Sequence, residues 1–235
     1  MSGAYVPKTA MFIFAHPDDI EFGVAGTAAQ WAKAGSRIIY VVITDGNVGS
    51  HEADMTTERL AEIRRAEQTA AGEAVGAECI FLGYHDGFLQ PTLELRKDLV
   101  RLIRQHKPDA VVCPDPTNFF PTENYINHPD HRAAGQVVLD AVFPAAGNVA
   151  YFPELLAEGF QPHMPKEVWC SLTMQPNTTL DVTEMWDVKM QAILQHTTQV
   201  QEPEKLIERF KSRRAEDSTE ENPRYEEKFR VVKYS

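Results

Sequence analysis

Residues Met11-Phe12-Ile13-Phe14-Ala15-His16-Pro17-Asp18-Asp19 decide how this chain is read. The first five are apolar and uncharged, the pattern of a strand buried on both faces in the middle of a parallel sheet. The pattern breaks at a histidine, a proline and two adjacent carboxylates, and small residues at helical spacing follow from about Phe22 to Ala34. Polar side chains at the carboxyl end of a first buried strand stand where open α/β sheets build their sites.

Working outward, strand and helix patterns alternate. Further strands are expected at Arg37–Thr44, Glu78–Leu82, Asp109–Cys113, Glu167–Met174 and Arg230–Tyr234. Helices are expected between them. One carries Leu60, Ile63, Ala66, Ala70 and Ala74 on one face and stops at Gly76; another carries Leu95, Leu99, Leu102 and Ile103 and stops at Lys107-Pro108. A third opens at Pro129, a good first-turn residue, and a fourth covers Thr183 to Leu194. Strand-helix alternation at this spacing predicts βαβ units and a mainly parallel sheet between two helical layers, a three-layer Rossmann-like α/β fold. The whole chain, 1–235, reads as one domain, with the charged segment 201–222 as a C-terminal appendage.

The chain has 235 residues, enough for a full core, and a net charge of −11. That charge argues against nucleic acid or an anionic membrane surface as a partner. No uncharged run approaches the ~18–20 apolar residues of a membrane span, and the start MSGAYVPKTA lacks the features of a signal peptide. Cys79, Cys113 and Cys170 are widely separated, which predicts reduced thiols and a cytoplasmic protein.

A second polar cluster, His128-Pro129-Asp130-His131, lies far downstream of the first. Zinc takes His nitrogen and carboxylate oxygen, and a catalytic site holds it with three protein ligands and keeps one position open. His16 and Asp19 can aim at one point across a strand-to-helix turn, and His128 and His131 offer one or two more nitrogens. The two clusters therefore hold more than three candidates, and metal-assisted hydrolysis uses the surplus as base and acid. Alone, each cluster has an ordinary reading as a helix cap. Together they fall at the carboxyl ends of expected neighbouring strands, on the crevice side of the sheet.

These two motifs resemble those of the LmbE-like (PIG-L-type) zinc de-N-acetylases, which act on N-acetylglucosamine-containing molecules. The resemblance continues through Ile43-Thr44-Asp45-Gly46, Arg64 and Glu67, Asp86-Gly87, Pro176-Asn177, Asp181-Val182-Thr183 and His196-Thr197-Thr198-Gln199. It implies that His16, Asp19 and His131 hold Zn2+, with Fe2+, Co2+ or Ni2+ as substitutes. It implies Asp18 as general base for the zinc-bound water, and His128, steadied by Asp130, as acid and oxyanion partner. Arg64 and Asp86 match sugar-contacting positions. The implied partner is a small N-acetylated sugar, with no nucleic acid and no membrane, and relatives often form homo-oligomers. One departure stands out: where sugar deacetylases can carry a Tyr two residues before the first His of the second motif, this chain has Ile126, with Tyr125 one further upstream.

Two other readings compete. Two His and one carboxylate also form the site of non-haem iron oxygenases, usually on an all-β host with a His-x-Asp spacing. A non-enzymatic nucleotide- or metabolite-binding α/β module is the other, but no G-x-G-x-x-G follows the first strand. His51, His85, His106 and His163 read as surface or turn residues.

Overall fold

The computed structural model describes residues 5–50 and 52–234. His51 lies outside them. Seven strands, β1 (Thr9–Phe14), β2 (Arg37–Thr44), β3 (Ala77–Tyr84), β4 (Ala110–Pro114), β5 (Glu167–Ser171), β6 (Thr178–Asp181) and β7 (Glu226–Lys233), form one sheet in the order β3-β2-β1-β4-β5-β7-β6. The five strands from β3 to β5 pair in parallel, whereas β7 runs antiparallel to both β5 and β6. The helices are α1 (Asp19–Lys33), α2 (Thr57–Val75), α3 (Leu93–His106), α4 (Pro129–Asp140), the short α5 (Pro153–Ala157), α6 (Trp186–Ile193) and α7 (Pro203–Lys211).

The central strand explains the layering. Side chains alternate across a strand, so Met11 and Ile13 enter one core with residues of α3 and α4. Ala10, Phe12 and Phe14 enter a second core with residues of α1 and α2, where Trp31 and Trp169 meet edge to face. Both faces of β1 are sealed, and truncating a core residue such as Phe12 to Ala costs about 3–5 kcal/mol. The expected mainly parallel three-layer α/β domain is the observed one.

The strands on the far side of the sheet differ in detail from expectation. β5 stops at Ser171 because Leu172 takes a left-handed backbone (φ 54), which turns the chain out of the sheet. β6 was not foreseen, and β7 begins four residues earlier than the expected last strand. The segment 201–222 contains α7, whose Phe210 is buried in a small cluster with Phe22 and Trp186. Among the described residues no helix is long and apolar enough to cross a membrane.

Strand order reverses between β1 and β4, which are hydrogen-bonded neighbours but continue to opposite sides of the sheet. At such a switch point the loops leaving the two carboxyl ends part and leave a crevice. His16 follows β1, and the loop after β4 leads to His128 and His131, so both polar motifs line it.

Candidate metal centre and active site

His16 is buried, and its two ring nitrogens have different surroundings. Nε2 lies 3.1 Å from Asp86 Oδ1 and 3.3 Å from Asp130 Oδ2. In the neutral ring with its one proton on Nε2, between two carboxylates that only accept, Nδ1 presents a lone pair 3.2 Å from Asp19 Oδ2. His131, in the first turn of α4, repeats the arrangement. Its Nδ1 faces Asn127 Oδ1 at 3.1 Å and donates to it, which leaves the Nε2 lone pair 3.0 Å from Asp19 Oδ1.

Two imidazole lone pairs and a carboxylate therefore converge with no proton to spare among them when the rings are neutral. Four tetrahedral ligands at ~2.0–2.1 Å from zinc stand roughly 3.3 Å apart, close to these separations. A hydrogen bond from the far ring nitrogen to a carboxylate or carbonyl oxygen is how metal-binding histidines are oriented. The donor set fits a divalent cation. The same residues also shift one another's protonation. Burial disfavours an imidazolium at His16, but Asp19, Asp130 and Asp86 outweigh it and hold its pKa well above the ordinary histidine value. Burial likewise opposes ionisation of Asp19, and His131 and His16 overcome it, keeping that carboxyl well below its usual range.

His128 caps α4: its Nδ1 accepts the Asp130 backbone N–H at 3.2 Å. The proton of the neutral ring then sits on Nε2, which is a donor. The ring stands 4.8 Å from His16 and 5.3 Å from His131, centroid to centroid. His16, His128 and His131 each offer a ring nitrogen within 4.8 Å of the others, so His128 is also within reach of a shared ion. Burial and the two neighbouring imidazoles lower its pKa.

The Asp130 carboxylate does not steady His128, contrary to expectation. It points the other way, accepting the N–H groups of Gly87 (2.7 Å) and Leu89 (3.2 Å) and facing His16. Its hydrogen bond to His128 is made by the backbone N–H, and the carboxylate acts on that ring only through its charge. Asp86 is likewise directed inward, with one oxygen on His16 and the other accepting the Val48 N–H at 3.2 Å. In this structure it orients the imidazole.

Asp18 and Asp19 diverge, as adjacent residues at a strand-to-helix turn do. Asp18 has φ 98, an unusual backbone for a residue other than glycine. Burial and the charge of Asp19 push its carboxyl up to about 7, against the pull of Arg64, His196 and His16. Arg64 comes from α2 and is only 4% exposed. It donates to Asp18 Oδ2 (3.1 Å), to the Pro17 carbonyl (2.6 Å) and to the Gly46 carbonyl (2.8 Å). The arginine fits because Gly46 has no side chain: a Cβ there would come within 2.5 Å of Arg64 Nη1, and its φ of +63 already favours glycine. Arg64 is thus buried against the loop and fixes the Pro17-Asp18 turn.

Gln68, one turn along α2 from Arg64, was missed in the sequence. Its Oε1 accepts the Asp18 N–H at 2.9 Å. It lies on the buried face of α2 with Leu60, Arg64, Glu67, Ala71 and Val75, where polar and apolar residues are mixed. Beside His131 opens a cavity of about 350 Å³ lined by Asn118, Pro121, Tyr125, Asn127, Leu172, Thr173 and Met174. Among the described residues that line it there is no Lys or Arg.

The chain is similar to known proteins. Diacetylchitobiose deacetylase of Thermococcus kodakarensis is 33% identical over 196 residues, which cover 83% of this chain and 71% of the relative. N,N'-diacetylchitobiose deacetylase from Pyrococcus horikoshii, solved with its inhibitor MPG, superposes with a TM-score of 0.85 at 29% identity, over 97% of this chain and 84% of that one. A 4-oxalmesaconate hydratase of Pseudomonas putida is 27% identical over 202 residues, 79% of this chain and 72% of the relative. The family model described as PIG-L, GlcNAc-PI de-N-acetylase, matches residues 11–142, a stretch that contains both polar motifs and the whole parallel sheet as far as β4. The chain belongs to the PIG-L family.

Proposed function

We propose that this protein is a metal-dependent N-deacetylase that removes the N-acetyl group of an N-acetylglucosamine-type sugar. The observation that carries the reading is the convergence of His16 Nδ1, Asp19 and His131 Nε2, with the Asp18 carboxylate held apart from them by Arg64. Those three residues would hold the ion, zinc in the first instance. A divalent ion bound there acidifies water and polarises the amide carbonyl. Asp18 takes the proton of the attacking water, and the Nε2–H of His128 faces the charge that develops on the carbonyl oxygen. Asp18 then gives the water's proton to the departing amine as the C–N bond breaks. Membership of the PIG-L family leaves the iron-oxygenase and passive-binding readings without support. Three free cysteines suit a cytoplasmic setting.

Phe119, Phe120 and Tyr125 stand 50%, 69% and 52% exposed on the loop after β4, and Tyr125 lines the cavity beside His131. Aromatic faces in that position would cover the apolar face of a sugar ring. Replacing Phe119 and Tyr125 by Ala is expected to raise KM several-fold, about 1 kcal/mol per lost aromatic contact, with kcat held. Steady-state kinetics that leave KM unchanged would remove these residues from the binding wall.

The hydratase relative supports a second reading, addition of water to a carbon–carbon double bond. The cavity weighs against it, because an uncharged, largely apolar lining suits a neutral sugar better than a polycarboxylate. Zinc-loaded protein assayed for acetate and free amine on N-acetylglucosamine, diacetylchitobiose and conjugates with other groups on the sugar decides between them. Acetate release from at least one acetylated sugar is expected. Hydration of an unsaturated carboxylate with no acetate from any sugar would replace the first reading by the second.

A further inference from the structure

Behind Asp18 a chain of three buried polar side chains runs away from the reaction centre, none of them a candidate ligand. The Asp18 N–H donates to Gln68 Oε1 (2.9 Å), Gln68 Nε2 donates to Glu21 Oε1 (2.9 Å), and Glu21 Oε2 faces His196 Nε2 at 3.1 Å. Gln68, Glu21 and His196 are each 0% exposed. Burying a carboxylate and two polar side chains costs several kcal/mol unless they are paired, and here each bond fixes the next. The chain ends on the backbone of Asp18, whose φ of 98 is unfavourable for a residue other than glycine.

We propose that Gln68, Glu21 and His196 form a positioning brace that holds the Asp18 backbone in its left-handed conformation and thereby aims the carboxylate. The inference rests on the role given to Asp18 above. Three elements meet in the brace: α1 supplies Glu21, α2 supplies Gln68, and the turn after α6 supplies His196. That turn is itself clamped to α2, since Thr197 and Thr198 donate to the Glu67 carboxylate at 2.7–2.8 Å, and Gln199 Nε2 donates to the Gly49 carbonyl. The brace gives the C-terminal third of the chain, beyond the stretch matched by the family model, a task in the reaction: His196 reaches Asp18 through Glu21 and Gln68, whereas Thr197 and Thr198 hold the turn on Glu67 and donate to no member of the brace.

Arg64 grips the side chain of Asp18 and Gln68 grips its backbone, from positions one helical turn apart on the same face of α2. Losing the brace leaves the base present, ionisable and beside Arg64 but free to turn. The loss should therefore appear in kcat and not in metal content or KM.

The amide and the carboxylate of the brace can be exchanged, which supplies a rescue. Gln68→Glu alone sets two carboxylates against each other. Combined with Glu21→Gln it restores an oxygen for the Asp18 N–H, a donor between the two side chains and an acceptor for His196, with the charge count unchanged. Kinetics on diacetylchitobiose, zinc content and Tm are measured for Gln68→Leu, Gln68→Glu, the paired exchange and the control Thr198→Val. Gln68→Leu and Gln68→Glu are expected to retain zinc and lose kcat by about 10- to 100-fold, KM being unchanged. The paired exchange should recover most of that loss, and Thr198→Val should lower Tm with kcat intact. In an Asp18→Asn background Gln68→Leu should cost little more.

A folded, zinc-loaded paired exchange as slow as Gln68→Glu overturns the brace, as does a Thr198→Val enzyme as slow as Gln68→Leu. So does a full additional loss in the Asp18→Asn background. If Asp18→Asn itself turns over normally, the base assignment fails and takes the brace with it; if Asp18→Asn is slow and the exchange does not rescue, the brace alone fails.

Discussion

Replacing His131 by Ala is expected to empty the metal centre while the fold persists. The side chain is partly exposed at the start of α4, and its two contacts are Asn127 Oδ1 and Asp19 Oδ1. Its removal deletes one of three protein bonds to the ion and leaves Asp19 with His16 as its remaining imidazole partner. Zinc content should fall with it. Turnover should drop by more than the ~10²–10³ that one oxyanion-stabilising donor is worth, because both water activation and carbonyl polarisation go together. Melting should stay close to that of the metal-free wild type. His16→Ala should behave differently. It leaves Asp19, Asp86 and Asp130 facing one another with no imidazole between them. Removing one partner from such a buried ionic cluster costs about 3–5 kcal/mol, so that variant loses stability as well as metal. Metal analysis and thermal melting of the two variants side by side check both statements. A His131→Ala protein with full zinc and normal turnover would take His131 out of the ligand set.

Asp18→Asn should separate the base from the ligands. The substitution keeps the shape of the side chain and leaves His16, Asp19 and His131 untouched, so zinc stays bound. The amide cannot take the proton of the attacking water, and kcat should fall by ~10²–10⁴ with KM little changed. Arg64 would then face an amide in place of a carboxylate, a second reason for the site to work poorly. His128→Ala tests the opposite side of the reaction: it should keep the ion and slow the chemistry. If His128→Ala releases the zinc and Asp19→Ala does not, the three-histidine combination is the true ligand set.

Much of this was legible in the chain, for reasons that lie in particular residues. β1, β2 and β4 are buried on both faces, so they read as near-continuous apolar runs, and the two polar motifs stand out at their ends. The far side of the sheet was harder. β7 does alternate, with Glu227, Phe229 and Val231 pointing inward, but its first inward residue is a carboxylate. Glu227 is tolerated there because Gly26, Thr27 and Lys189 all donate to it, and all three are remote in sequence. β6 offered a single large apolar residue, Leu180, among polar neighbours. In the site, residue types and spacing pointed to metal chemistry, but they could not reveal where Asp130 and Asp86 aim. Both turn to His16, a contact made only when the loop after β3 closes over the start of α4. Gln68, Glu21 and His196 were hidden for the same reason: their polarity is matched across three elements, and no local pattern records such a match.

The most direct test of the central claim is acetate release from diacetylchitobiose as zinc is returned to metal-stripped protein. The account predicts no turnover in the stripped enzyme, a rise in proportion to added zinc, a plateau at one equivalent per chain, and no response from His131→Ala. Full turnover in the stripped enzyme, or a chain that binds its equivalent of zinc and releases no acetate from any N-acetylated sugar, would contradict it.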